Sequence, residues 1–336
     1  MAHDFTWRDG ERLIRFAAGA GAAAPALLRE RGFADWVLLT TERAATQVPG
    51  VGEVAVAVQH VPAGRIDEIS AALLDRVGEH PQVALGGGRV IDTAKALAGA
   101  TGRPCAALAT TLSGAELTPF HRTPVGVKGA RLVRPALVIA DPGLMTSAQE
   151  PGLAASAMNA LAHAMEALHT PLANPVSELA ALRAAGLLVN GLRDTEPPAR
   201  EDLALGAVLA GYASGAAGLA VHHAVCQLIV RTAGSPHAET NAVMLPHFMR
   251  LMAARAPRPM KAFAEAVGDP SGDPAAAADL VAALAARCGH TRLSTLGVRE
   301  DQLGEVVAAV ADHRGLDATP DPPLAGELLA LLHAAI

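Results

Sequence analysis

The chain has 336 residues, 51% apolar but only 3% aromatic, and a formal net charge of −6. That length allows two domains and a sizeable core built mainly from Ala, Val and Leu. The acidic balance, with no long basic run, excludes nucleic acid as the main partner.

Three cysteines, Cys105, Cys226 and Cys288, are odd in number and far apart. They argue against a disulfide framework and fit a reducing cytoplasm. Segment 1–16 mixes charged and polar residues too closely for a signal peptide. Residues 22–32 read as a helix stopped by Gly32. Residues 35–41 read as a short buried strand, and Val54 to Val61 as a second one. Ile66 to Gly78 is an amphipathic helix. Val83 to Leu85 is a further short apolar run, followed by three glycines and a helical pattern from Val90 to Ala98. Pro104 to Thr111 and Ala136 to Asp141 read as later strands. Strands alternating with helices imply a Rossmann-like parallel sheet in an α/β domain.

After Pro142 the strand signals fade and Ala/Leu-rich helical patterns run to Ile336. The expected organisation is an α/β domain over 1–148 and an all-helical domain over 149–336. Leu203 to Val230 contains no Asp, Glu, Lys or Arg, long enough to raise a membrane span. Its glycines, together with His222, His223 and Gln227, favour a buried core helix or a pair of helices. No membrane partner is expected.

Three stretches carry chemistry. The first is Gly86-Gly87-Gly88-Arg89-Val90-Ile91-Asp92-Thr93-Ala94-Lys95. Glycines between a strand and a helix let backbone N–H groups approach a phosphate, and the helix N-terminus adds a positive field. The second is the polar run Thr110-Thr111-Leu112-Ser113-Gly114-Ala115-Glu116 after a strand, with Lys128 downstream. The third is a histidine set. Segment 156–166 reads as helix and places Asn159 and His163 four residues apart on one face. His223, Gln227 and His237 follow in the later helical pattern. Imidazoles in such a set can bind a metal, handle protons or sit satisfied in a core. Thr41 ends the 35–41 strand, and Glu42 follows. Were this strand end to face an adenosine ribose, an acid there would favour a 2′-OH over a 2′-phosphate and lean to NADH over NADPH.

The string Gly-Gly-Gly-x-x-x-Asp-x-Ala-Lys, the Thr110–Glu116 run, Asp141-Pro142 and the stretch Pro236 to His247 resemble the iron-containing (group III) alcohol dehydrogenase and dehydroquinate synthase-like superfamily. Within it they look like the maleylacetate reductase branch. Arg15 to Gly21 looks like that family's entry strand. The resemblance implies that Gly86, Gly87, Gly88 and Asp92 serve the pyrophosphate, and Thr110 and Thr111 the nicotinamide side. It places Thr41 and Glu42 at the adenosine ribose, and Lys128 at the cofactor or a substrate carboxylate. It maps the family's four metal-ligand positions onto Asn159, His163, His223 and His237. The only carboxylate of that set is replaced here by Asn159, so no bound metal is expected.

Other departures are Arg89 for a serine, Leu112 and Ala115 in the threonine segment, Gln227 for a catalytic histidine, and Val230-Arg231 for two glycines. The implied activity is NADH- or NADPH-dependent reduction of a ketone or activated alkene in a small carboxylated or ring-derived substrate. The reference reaction is 2-maleylacetate to 3-oxoadipate. His163, His223 and His237 would handle the proton, with Asn159 and Gln227 as hydrogen-bond donors. The same fold repurposed for dehydration, isomerisation or cyclisation is the alternative, with Arg89 and Arg231 filling the cofactor groove. A binding protein and a metal-dependent alcohol dehydrogenase are the remaining readings. A cytoplasmic homodimer is expected.

Overall fold

The structure, a computed structural model, describes residues 3–193 and 197–336. The chain divides into two compact units, Met1–Ser147 and Ala148–Ile336. The first contains seven strands: β1 (Phe5–Asp9), β2 (Arg12–Phe16), β3 (Val37–Thr40), β4 (Ala57–His60), β5 (Gln82–Gly86), β6 (Cys105–Ala109) and β7 (Leu137–Ala140). Its helices are α1 (Ala24–Glu30), α2 (Glu42–Ala45), α3 (Pro49–Glu53), α4 (Ile66–Val77), α5 (Gly88–Thr101) and α6 (Pro142–Met145).

The strands form one sheet in the order β1-β2-β7-β6-β5-β3-β4. Every neighbouring pair is parallel except β1 with β2. Central parallel strands are covered on both faces and must be apolar throughout. Accordingly β3, β5, β6 and β7 are buried at every residue, and they read in the sequence as short unbroken runs. One face packs Leu38, Val83, Leu85, Leu108, Leu137 and Ile139 against Leu28 and Trp36. The order reverses between β3 and β5. Chain connections leave that point in opposite directions and open a crevice at the carboxyl ends of the strands.

The expected entry strand at Arg15–Gly21 lies earlier in the chain. The strand β2 ends at Phe16, and residues 17–23 turn into α1. Its antiparallel partner β1 had no clear signal, because an edge strand needs only half of its residues covered. The Phe5 and Phe16 rings stack at 5.2 Å and tie the hairpin together.

The second unit is helical: α7 (Gly152–Ala167), α8 (Pro175–Arg193), α9 (Pro197–Ala217), α10 (Val221–Ala233), α11 (His237–Arg255), α12 (Pro257–Ala266), α13 (Pro274–Ala285), α14 (Leu303–Val310), α15 (Arg314–Asp317) and α16 (Ala325–Ala335). The central helix α7 packs against α8, α9 and α11, and its residues from Leu153 to Ala167 are buried apart from Ser156. Alanine along α7 lets neighbouring backbones come close, so a core with few aromatic rings still fills its volume. Gly206 in α9 shows how close: a Cβ there would lie 2.8 Å from Leu188 Cγ. The charge-free stretch 203–230 is a pair of helices, α9 and α10, bent by 102° at the break between them. No single described helix is long and apolar enough to cross a membrane.

Candidate functional site

The singled-out residues fall into two groups, one in each unit. In the first unit Thr41, Gly86–Gly88 and Thr110–Thr111 follow the carboxyl ends of β3, β5 and β6. The register sets Thr40 opposite Leu85 and Gly86 opposite Ala109, so the three turns are neighbours. Thr110 N–H donates to Gly86 O at 3.0 Å, and Thr40 Oγ1 donates to Leu85 O at 2.8 Å. The glycines are dictated by this close approach. A Cβ on Gly86 would lie 2.7 Å from Val90 Cγ2, one on Gly87 2.9 Å from Thr111 Cγ2, and one on Gly88 3.2 Å from the Ser113 side chain. Helix α5 starts on this turn, and no side chain caps it. A helix N-terminus with free N–H groups is an anion site. The turn therefore fits a dinucleotide pyrophosphate, and the exposed Arg89 in its first turn adds positive charge.

The other proposed cofactor residues have the following surroundings. Thr41 Oγ1 accepts from Ala44 N–H at 3.3 Å as the N-cap of α2, and Glu42 is the exposed first residue of that helix. Asp92 is turned back to Lys95 Nζ at 2.7 Å. Lys128 is exposed on the 110–136 connection, close to Val125, whose N–H donates to Asp67 O in α4.

Lys95 is wholly buried and donates to the carbonyls of Ala115, Thr118 and Phe120 at 2.8, 3.2 and 2.6 Å. Buried Arg12, also ion-paired with Asp9, donates to Leu117 O at 3.1 Å. Two cations thus pin the backbone of the loop after Thr110–Thr111. Between them Glu116 is fully buried, and neither carboxyl oxygen has a partner. Burial pushes this carboxyl up to about 7.

In the second unit the histidines come from three helices. Asn159 and His163 lie on α7, His223 on α10, and His237 is the first residue of α11. The His163 and His223 rings stack at 4.5 Å, and the His237 ring lies 6.4 Å from that of His223, tilted by 50°. Asn159, His163 and His223 are buried, whereas His237 and Gln227 are exposed. Asn241 Nδ2 donates to His237 O at 2.7 Å and lies 3.3 Å from His237 Nε2. Gln227 stands one turn beyond His223, on the exposed side of α10.

The sequence reading left out Glu166, which lies fully buried on α7 one turn after His163. Its Oε2 is 2.5 Å from His223 Nδ1, and its Oε1 accepts from His223 N–H at 3.2 Å. Its signal was present: an acid at i+3 from an imidazole on an otherwise apolar helix face. Buried Asn159 Oδ1, His163 Nδ1 and His223 Nε2 have no protein partner.

Burial favours the neutral form of the buried imidazoles. It lowers His223 to about 3, with repulsion from His237 adding to the effect, and lowers His222 to about 3, assisted by His223. His163 falls well below the usual range for the same first reason. Burial raises the Glu166 carboxyl, while His222, His169 and the backbone N–H groups of His223 and Ala220 pull it back.

The superfamily's iron calls for a charged ligand set. Asn159, His163, His223 and His237 offer only an amide and imidazoles. Among the described residues, the trio with ligand atoms within 4.8 Å of one another is Glu166, His222 and His223. Its atoms are occupied with each other: His222 Nδ1 lies 3.4 Å from the His223 Nδ1 that Glu166 binds. The donor set at the four family positions does not fit iron.

Comparison with known proteins agrees with this architecture. The pattern described as the Fe-containing alcohol dehydrogenase family, C-terminal, matches residues 153–336. Maleylacetate reductase 1 of Rhodococcus opacus is 40% identical over 256 residues, covering 74% of this chain and 70% of the relative. The maleylacetate reductase of Sphingobium indicum is 33% identical over 318 residues, covering 89% of each. The crystal structure of maleylacetate reductase from Agrobacterium tumefaciens superposes with a TM-score of 0.84 at 27% identity, covering 100% of this chain and 99% of that one. The chain belongs to the Fe-containing alcohol dehydrogenase family. Within it, the chain is an oxidoreductase of the maleylacetate reductase-like kind.

Proposed function

We propose that the protein reduces a ketone or activated alkene in a small carboxylated substrate, using NADH in preference to NADPH and no bound metal. The observation that carries this reading is the imidazole cluster, in which Asn159 takes the place of a carboxylate and His163 and His223 are buried and stacked at 4.5 Å. Backbone N–H groups at Gly88 and Arg89 would hold the pyrophosphate, with Thr110 and Thr111 toward the nicotinamide. When bound, the nicotinamide supplies the hydride. Glu42 favours a ribose without a 2′-phosphate. Lys128 offers a cation to a substrate carboxylate, and Arg231, exposed two turns along α10 from His223, offers another.

A new hydroxyl or C–H bond needs one proton beside the hydride. Neutral, buried His163 and His223 are poor donors, so the role falls to exposed His237. The neutral cluster then orients the substrate oxygen and keeps bulk water from it.

The test is oxidation of NADH and of NADPH with 2-maleylacetate as acceptor, with metal content measured on the same protein and a chelator in a parallel assay. Turnover that survives chelation in metal-free protein, faster with NADH, supports the reading. Turnover that requires iron or zinc overturns metal independence. If neither nucleotide binds, the non-redox alternative replaces the reductase, with Arg89 at the start of α5 blocking the phosphate position.

A further inference from the structure

We propose that Glu166 is a positioning residue. It fixes the ring orientation and the tautomer of His223, so that His223 presents Nε2 to the cluster as a hydrogen-bond acceptor. The role in turnover rests on the reductase reading, whereas the tautomer does not.

Glu166 is fully buried and reaches no substrate. Its carboxyl meets donors that cannot reverse their role: the backbone N–H of His223 on Oε1, and that of Ala220. These two residues form the start of α10, whose N-cap Ala220 has no capping side chain. A carboxylate from α7 therefore supplies the negative charge that the helix N-terminus favours. An ionised carboxylate only accepts, so the 2.5 Å contact at Oε2 is filled by a proton on His223 Nδ1. His222 Nδ1, at 3.4 Å from the same nitrogen, is the weaker competitor.

A neutral imidazole protonated at Nδ1 carries a lone pair at Nε2. That Nε2 is buried and without a partner, beside the stacked His163 ring. It accepts a hydrogen bond from a substrate hydroxyl, an enol or an ordered water, and does not give up a proton. A carboxylate behind an imidazole is a general way of fixing which nitrogen faces a site.

The experiment is two-bond nitrogen–proton correlation spectroscopy of protein labelled with ¹⁵N-histidine, with His223→Gln used to assign the His223 signals. In the wild type His223 is expected to carry its proton on Nδ1. In Glu166→Gln the side-chain amide donates to Nδ1 and inverts the tautomer to Nε2–H. The same variant is expected to lose kcat by about 100-fold while the KM for NADH moves by no more than roughly 2-fold. A merely structural role for Glu166 would lower stability without inverting the tautomer. A wild-type His223 protonated at Nε2, or a folded Glu166→Gln with an unchanged tautomer, overturns the proposal. Should Glu166→Gln not fold, the wild-type spectrum decides the tautomer alone. Absence of nicotinamide-dependent turnover in the wild type would strike the reductase reading, not the tautomer assignment.

Discussion

Two residues carry sharp consequences on their own. His237 is the exposed member of the cluster, whereas Asn159, His163 and His223 are buried. His237→Ala is expected to abolish reduction while nucleotide binding, measured by fluorescence titration, stays within about 2-fold, because in the proposed mechanism His237 acts only on the substrate. Unchanged turnover would remove His237 from the mechanism. Glu116 concerns stability. Its carboxyl is pushed from 4.5 up to about 7 by burial. Below pH 4.5 it is protonated in folded and unfolded chains alike. Between pH 4.5 and 7 the unfolded chain releases the proton first, so the folded state loses stability as pH rises through this window. The loss is about 3 kcal/mol in order of magnitude. Glu116→Gln has no such proton to lose. Denaturant unfolding is expected to show it gaining on the wild type by that amount between pH 4 and pH 8. A constant difference across this range would mean that Glu116 is not buried alone.

At the scale of elements, the Gly86–Gly88 turn is backed by a neighbouring loop that buried cations hydrogen-bond. The Thr110–Thr111 segment packs on the glycines, and the loop beyond it hangs on Lys95 and Arg12. Lys95→Met leaves the carbonyls of Ala115, Thr118 and Phe120 and the carboxylate of Asp92 without their cation. The expected cost is about 3–5 kcal/mol, the usual price of removing one partner from a buried charged set. Nucleotide affinity should fall with it. Calorimetry and titration on the same variant check both, and an unaltered melting temperature would show that Lys95 does not anchor the loop. Strands, by contrast, were legible one at a time: β3, β5, β6 and β7 are short apolar runs between turn residues, as strands covered on both faces must be. The hairpin strand β1 was missed, since Phe5 and Trp7 alternate with polar residues over too short a span to stand out.

For the whole molecule, the change of texture after Pro142 showed an α/β part followed by a helical part, and the charge-free stretch 203–230 resolves into two helices bent by 102°. A homodimer remains our expectation from the family resemblance. Light scattering during gel filtration should give twice the chain mass of 34.2 kDa, and a monomer mass would set that expectation aside.

The sequence by itself determined the glycine turn and its helix, the alternation of strands with helices, the loss of the carboxylate at Asn159 and the family resemblance. Each of these is local: a residue type, a spacing or a period. Tertiary structure alone decided that Asp92 faces Lys95, that His237 and Gln227 are exposed while His163 and His223 are buried, and that Glu166 grips His223. These outcomes depend on which helix faces meet, and the 57 positions from Glu166 to His223 hold no local trace of it. Burial then sets the chemistry, because an imidazole removed from water stays neutral and a carboxylate there needs donors around it.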